Sequence, residues 1–191
     1  MKYILILFIT LFTLLNAENN IKIIAFAQDT MSNDFRKAQV FEAKDAASKY
    51  KDIKFVYSDA KGQTSLLIKQ IEKFILDKVD VIIVGTNDAQ AVVPIISKAY
   101  EQGIGVIILD RGIDGTNYSS FINSDNIKIG KIGAEYLAKK LNGKGEILLF
   151  EGLQKADVTH LRTKGFMDEI SKYKDIKVIK RTGNYLRKDA I

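Results

Sequence analysis

Short apolar runs along this chain alternate with stretches in which apolar residues recur every three or four positions. Ile21–Ala27 (IKIIAFA) reads as a buried strand, after which Val40, Ala43, Ala47 and Tyr50 recur at helical spacing. Ile53–Tyr57 is a second strand of alternating polarity, followed by a helical stripe of Leu67, Ile68, Ile71, Phe74 and Ile75. Val79–Val84 (VDVIIV) is a third strand. Pro94, the one proline, suits the first turn of a helix, where its missing N–H costs nothing, and that helix carries Ile95, Ile96 and Ala99 to Gly103. Val106–Leu109 (VIIL) and Tyr118–Asn123 are the fourth and fifth strands. Ile127–Leu141 is a helix stopped by Asn142-Gly143, Glu146–Phe150 a strand, Val158–Tyr173 a helix and Ile176–Lys180 a strand.

Strand and helix alternate throughout, which predicts an α/β fold built on parallel sheets covered on both faces. The first 17 residues break the pattern. Lys2 precedes an uncharged run from Tyr3 to Leu15, and the small Ala17 precedes a polar linker. That order is the one a secretory signal peptide has, and the run is short for a membrane span, which takes ~20 residues. An exported chain cleaved after Ala17, working in the periplasm, is the expectation. There is no cysteine, so neither disulfides nor an N-terminal lipid on cysteine can contribute, and the fold must rest on its core. The chain of 191 residues is 47% hydrophobic with a net charge of +6. Its Lys and Arg are spread out, with no aromatic residues interleaved in a basic cluster as base stacking on nucleic acid would need.

Ligands of open α/β sheets bind beyond the carboxyl ends of the strands. Those positions hold Gln28-Asp29-Thr30 and Ser32-Asn33-Asp34-Phe35, then Ser58-Asp59, Gly85-Thr86-Asn87-Asp88, Asp110-Arg111, Ser124-Asp125 and Glu151, with Arg162 on the next helix. Carboxylates accept, amides and guanidinium groups donate, and together they suit the hydroxyls of a sugar ring whose apolar face Phe35 would cover. Ser32, Thr64, Asp88 and Asp125 read better as helix N-caps. Asp110-Arg111 does not, because a charged pair at the end of a buried strand asks for more than a cap.

Several chemistries are argued against. No G-x-G-x-x-G follows the first strand, no G-x-x-x-x-G-K-[ST] is present, and there is no G-x-S-x-G nucleophile elbow. His160 is the one histidine and reads as an ordinary helix residue, so neither a soft-metal site nor a triad is expected. The chain is expected to use no cofactor or metal and not to be an enzyme.

Four motifs give the chain a resemblance to the type I periplasmic sugar-binding proteins, most closely the ribose-binding-protein-like branch. They are Ser32-Asn33-Asp34-Phe35; Gly103–Arg111 (GIGVIILDR); Ile122-Asn123-Ser124-Asp125-Asn126 with Gly130 and Gly133 downstream; and Arg162-Thr163-Lys164-Gly165-Phe166. The resemblance runs from Ile21 to about residue 187. It implies two Rossmann-like α/β lobes that close on a sugar. Asn33 would be the first-lobe amide and Phe35 the ring-stacking aromatic. Asp110 and Arg111 would grip ring hydroxyls, and Arg162 would contact the ligand from the second lobe. Arg36 stands where ribose binders often carry a second aromatic, and Gly105 where the family usually has Pro, departures that bear on which sugar is bound.

The resulting expectation is a signal peptide over 1–17, a nearly complete first lobe over 18–123 and a partial second lobe over 124–191. The chain then reads as a truncated member, whose half-clamp would bind sugar weakly or not at all. The expected function is monosaccharide capture for the membrane permease of an ABC importer by a monomer. The alternative is a sensory module for chemotaxis or a sensor kinase, taking a sugar or an autoinducer-2-like ligand. The lactose-repressor type of DNA-binding protein shares the fold, but this chain begins with a leader where those begin with a helix-turn-helix.

Overall fold

A computed structural model describes residues 21–185 and Asp189. The predicted leader, Met1–Ala17, lies outside the described residues. The first unit runs β1 (Lys22–Gln28), α1 (Asp34–Ala47), β2 (Ile53–Asp59), α2 (Thr64–Leu76), β3 (Val81–Gly85), α3 (Val93–Glu101), β4 (Gly105–Leu109) and β5 (Ser120–Ile122). Its five strands form one parallel sheet in the order β2-β1-β3-β4-β5. Register explains the core. Ala25 lies beside Ile82 and Ile82 beside Val106, while Ala27 lies beside Val84 and Val84 beside Ile108. These two rows are buried with Leu67 and Ile71 of α2 and Ile96 and Ala99 of α3. Burying each large side chain of this set contributes about 1.5–3 kcal/mol. Helix α1 packs on β1 and β2.

The second unit runs α4 (Asn126–Lys140), β6 (Lys144–Glu151), α5 (Asp157–Ile170) and β7 (Asp175–Thr182), with β6 and β7 a parallel pair. Ala134, Ala138, Ile147, Phe166 and Ile170 form a separate core. Leu148 and Phe150 on β6 and Ile129, Ile132 and Tyr136 on α4 are exposed.

Every predicted element is present, with ends shifted by a few residues. The apolar stripe of α1 stops at Ala47, and Tyr50 lies exposed beyond it. Three of the four expected caps need correction. Asn33, not Ser32, caps α1 by accepting from the Arg36 N–H at 2.9 Å, while the Ser32 hydroxyl pairs with Thr30. Thr64 is the first residue of α2, behind Gln63, which makes no side-chain cap bond. Asp88 accepts from the Ala91 N–H at 3.1 Å in the turn before α3, but the cap position of that helix is Val92, with no side-chain bond. Asp125 caps α4 through the Lys128 N–H at 2.9 Å.

Helices α4 and α5 cross with their backbones in contact. A Cβ on Gly130 would overlap the Arg162 carbonyl and crowd the Phe166 nitrogen, and one on Gly165 would overlap the Ile127 carbonyl. Around Gly133 the nearest atom to a Cβ would be Phe166 Cδ2 at 3.9 Å, an ordinary contact. Gly130→Ala is therefore expected to lower stability in chemical denaturation by ~1–3 kcal/mol through overpacking. Gly133→Ala should raise it by ~0.5–1 kcal/mol through helix propensity. Equal effects of the two changes would contradict the close crossing.

Candidate functional site

In the strand order β2-β1-β3, the chain leaves β1 toward one side of the sheet and β3 lies on the other, so a crevice opens where their carboxyl ends part. The backbone is pinned there by Asp29 N–H donating to the Gly85 carbonyl at 2.9 Å. Arg36, in the first turn of α1, sends its side chain into this crevice and is only 1% exposed. Gly85 makes the room: a Cβ there would run into Gln28 Oε1 and lie 3.4 Å from Arg36 Nη1. Arg111, just past β4, enters from the other side and is also buried.

Two buried guanidinium groups need counter-charge. Asp29 Oδ1 lies 3.6 Å from Arg36 Nε, and Asp29 Oδ2 lies 3.5 Å from Arg111 Nη1. Asp110 Oδ2 lies 3.5 Å from Arg36 Nη2. Arg111 also donates to Asn87 Oδ1 and to the Thr86 carbonyl. Burial raises the Asp29 carboxyl above its ordinary value, against the opposing pull of Arg36 and Arg111. Burial, helped by the charge of Arg36, lowers Arg111. Asp110 has φ of +68°, a left-handed conformation that Asp tolerates better than most residues. Its N–H donates to the Ile122 carbonyl at 2.8 Å.

The second unit supplies the opposite wall. Arg162 on α5 donates from Nε to Asn126 Oδ1 at 2.8 Å, and Asn126 Nδ2 donates to the Ser124 carbonyl at 3.0 Å. Asn126, buried at the start of α4, thus anchors Arg162. Tyr185, past the end of β7, lies under the Arg111 guanidinium at 5.1 Å from its ring centroid, and its hydroxyl pairs with Thr159 Oγ1 at 2.9 Å. The units also touch through Gly112 N–H, which donates to Asp157 Oδ2 at 2.9 Å, and through Lys155 with Asp88 at 3.0 Å.

Between the walls lies a cavity of about 350 Å³, lined by Asn33, Phe35, Arg36, Asp110, Arg111, Val158, Arg162 and Tyr185. All five site residues expected from the sequence line it. Phe35 is exposed at its edge. Asn33 spends its carbonyl oxygen on the helix cap, which leaves its NH₂ as a donor. Arg36 Nε and Nη2 and Arg111 Nε are buried without a hydrogen-bond partner among the described residues. The cavity lining brings three guanidinium side chains, an amide and the Asp110 carboxylate beside an aromatic ring, a set of residue types that complements a polyhydroxylated ring.

In the sequence Arg36 stood only as a departure at a second-aromatic position and Asn87 only as a strand-end residue, while Tyr185 was not singled out. Asn87 and Tyr185 both follow a strand, and applying the strand-end rule to β7 would have found Tyr185. A larger cleft of about 830 Å³ lies between Asp88, Gln90 and Asp114 on one side and Lys155, Asp157 and His160 on the other. There the His160 ring pairs with the Gln154 carbonyl at 2.7 Å. No group of three or more His, Asp or Glu among the described residues could hold a metal ion.

A family profile described as "Periplasmic binding protein domain" matches residues 24–190. The galactofuranose-binding protein YtfQ of Escherichia coli (strain K12) is 30% identical over 169 residues, which cover 86% of this chain and 53% of that protein. A D-ribose/D-allose-binding protein of Pseudomonas aeruginosa is 29% identical over 154 residues, covering 76% and 48%. The chain spans about half the length of the curated relatives it matches. Among solved structures, a galactofuranose binding protein superposes with a TM-score of 0.83 at 29% identity, covering 88% of this chain and 58% of that one. The fructose binding periplasmic domain of a hybrid two component system superposes with a TM-score of 0.84 at 32% identity, covering 88% and 56%.

The space left by the missing side chain of Gly85 is what admits Gln28 and Arg36. Gly85→Ala is expected to displace both and to lower stability by ~1–3 kcal/mol in chemical denaturation. In an arginine side-chain NMR spectrum it should move the Arg36 signal more than that of Arg162. An unmoved Arg36 signal would contradict the packing described.

Proposed function

The chain belongs to the type I periplasmic sugar-binding protein family, and from that premise we propose that it captures a monosaccharide in the cavity between Phe35 and Arg162 and works as a binding protein, not an enzyme. The observation that carries this reading is the convergence of Asn33, Phe35, Asp110, Arg111 and Arg162, drawn from four separate parts of the chain, on one cavity. In this reading residues 18–123 form one lobe and 124–191 belong to the other. Asp110 accepts from ring hydroxyls, Arg36, Arg111 and Arg162 donate to them, and Phe35 covers the apolar face of the ring. Arg36 takes the place of a stacking side chain with a hydrogen-bonding one. That favours a ligand with hydroxyls on the face turned toward α1.

Delivery to the permease of an ABC importer is the role we propose for the loaded form. It rests on the relatives named as sugar-binding proteins, and a periplasmic location is proposed on the same ground. A sensory role has one specific observation in its favour, the likeness to a periplasmic domain of a hybrid two component system.

The test is an NMR titration of the ¹⁵N-labelled chain with a panel of pentoses and hexoses in pyranose and furanose forms, which also detects weak binding. Saturable shifts at Phe35, Asp110, Arg111 and Arg162 are expected. Shifts centred on Asp88 and His160, or none with any sugar, would defeat the proposal. Asp110→Asn keeps the left-handed backbone tolerable but removes the charge. It is expected to weaken the binding of any responding sugar by ~1–3 kcal/mol, because the ligand hydroxyls exchange a charged two-oxygen acceptor for a neutral amide with a single acceptor oxygen. An unchanged affinity would remove Asp110 from the site.

A further inference from the structure

The two arginines on the first-lobe wall come from different elements, Arg36 from α1 and Arg111 from the turn after β4, and both carry positive charge. Left alone they would repel, and each has a long side chain with several rotamers. Both reach the same carboxylate, that of Asp29, which is 3% exposed and fixed at the end of β1 by its backbone bond to Gly85. Its two oxygens divide the work. Oδ1 faces Arg36 Nε at 3.6 Å and Oδ2 faces Arg111 Nη1 at 3.5 Å. Arg36 and Arg111 both line the cavity, and Arg36 Nη2 lies 3.5 Å from Asp110 Oδ2, which lines it too.

We infer that Asp29 is the positioning residue of this site: its buried carboxylate, between the two guanidinium groups, holds Arg36 and Arg111 together as a single donor array aimed into the cavity. Asp29 is not among the residues lining the cavity, so it acts through the arginines. This inference rests on the sugar-binding reading for its effect on ligand, but the clamp itself exists without ligand.

Asp29 works only as an anion. The charged groups around it are Arg36 from α1 and Arg111 and Asp110 from past β4. The N–H of Thr30 lies beside it, and Tyr185 from past β7 stacks on Arg111. Asp59 of β2 is turned to the N–H groups of Met31 and Lys61. Burial dominates this balance and raises the Asp29 carboxyl. A raised carboxyl takes up its proton at a higher pH than an ordinary aspartate does. The array should therefore loosen on acidification while exposed aspartates are still ionised.

The experiment follows the arginine Nε–Hε signals of the full ¹⁵N-labelled chain from about pH 8 to about pH 3, and repeats the sugar titration at each end of the transition. The signals of Arg36 and Arg111 are expected to shift together, with one midpoint above the ordinary aspartate range, while Arg162 stays apart. In Asp29→Asn that joint transition should vanish, and a responding sugar should bind about tenfold or more weakly, with no pH dependence over the same range. Independent or absent shifts of the two arginines in the unaltered chain, or sugar affinity unchanged in Asp29→Asn, would overturn the inference. If Asp29→Asn does not fold, the titration of the unaltered chain decides by itself. If no sugar binds, the function proposed above fails, while the joint titration still establishes the clamp.

Discussion

Two positive charges buried at the end of a sheet are the constraint on which this structure turns. Arg36 and Arg111 are both nearly sealed from solvent, and an unpaired buried charge costs several kcal/mol. Asp29 and Asp110 are the carboxylates that offset them, each held by its own strand end. The arrangement needs a parallel sheet whose strands β1, β3 and β4 all end on one side, a glycine at position 85, and a left-handed residue at 110. Much of the first unit's local chemistry is explained by that need.

The second unit answers the first with a wall built in a different way. Gly130 and Gly165 let α4 and α5 touch, which brings Asn126 at the start of one helix beside Arg162 on the other. Gly152 leaves room for the Tyr185 ring, which lies against Arg111. Each wall therefore presents a guanidinium group whose position is fixed by a neighbour, and the cavity between them is bounded by charge, amide and aromatic ring.

The fold was legible because its apolar runs are clean. VDVIIV and VIIL could only be buried strands, and the stripe from Leu67 to Ile75 could only be a helix face. Asp110 and Arg111 were legible for a related reason, since an apolar strand that ends abruptly in charge exposes its purpose. Asn33, Phe35 and Arg162 stood among the residues at or beyond strand ends, and motif likeness singled them out. Arg36 was marked only as a departure at a second-aromatic position, and its burial was not legible, since an arginine in the first turn of a helix looks like a solvated residue. Its burial depends on a glycine 49 positions away in sequence, a packing fact that no local pattern carries. Tyr185 escaped because it lies in a left-handed turn beyond β7. Asn33 both lines the cavity and caps α1 through its side-chain oxygen, which leaves its NH₂ as a donor.

The central claim is that the cavity between Phe35 and Arg162 is a sugar site whose first-lobe wall is the Arg36–Arg111 pair. A crystal structure of this chain grown with a monosaccharide tests it most directly. The account predicts ring hydroxyls within hydrogen-bond distance of Asp110, Arg36 and Arg111, with the Phe35 ring against the sugar. A sugar seated instead in the cleft beside Asp88 and His160, or Arg36 and Arg111 facing apart with no ligand between the lobes, would contradict it.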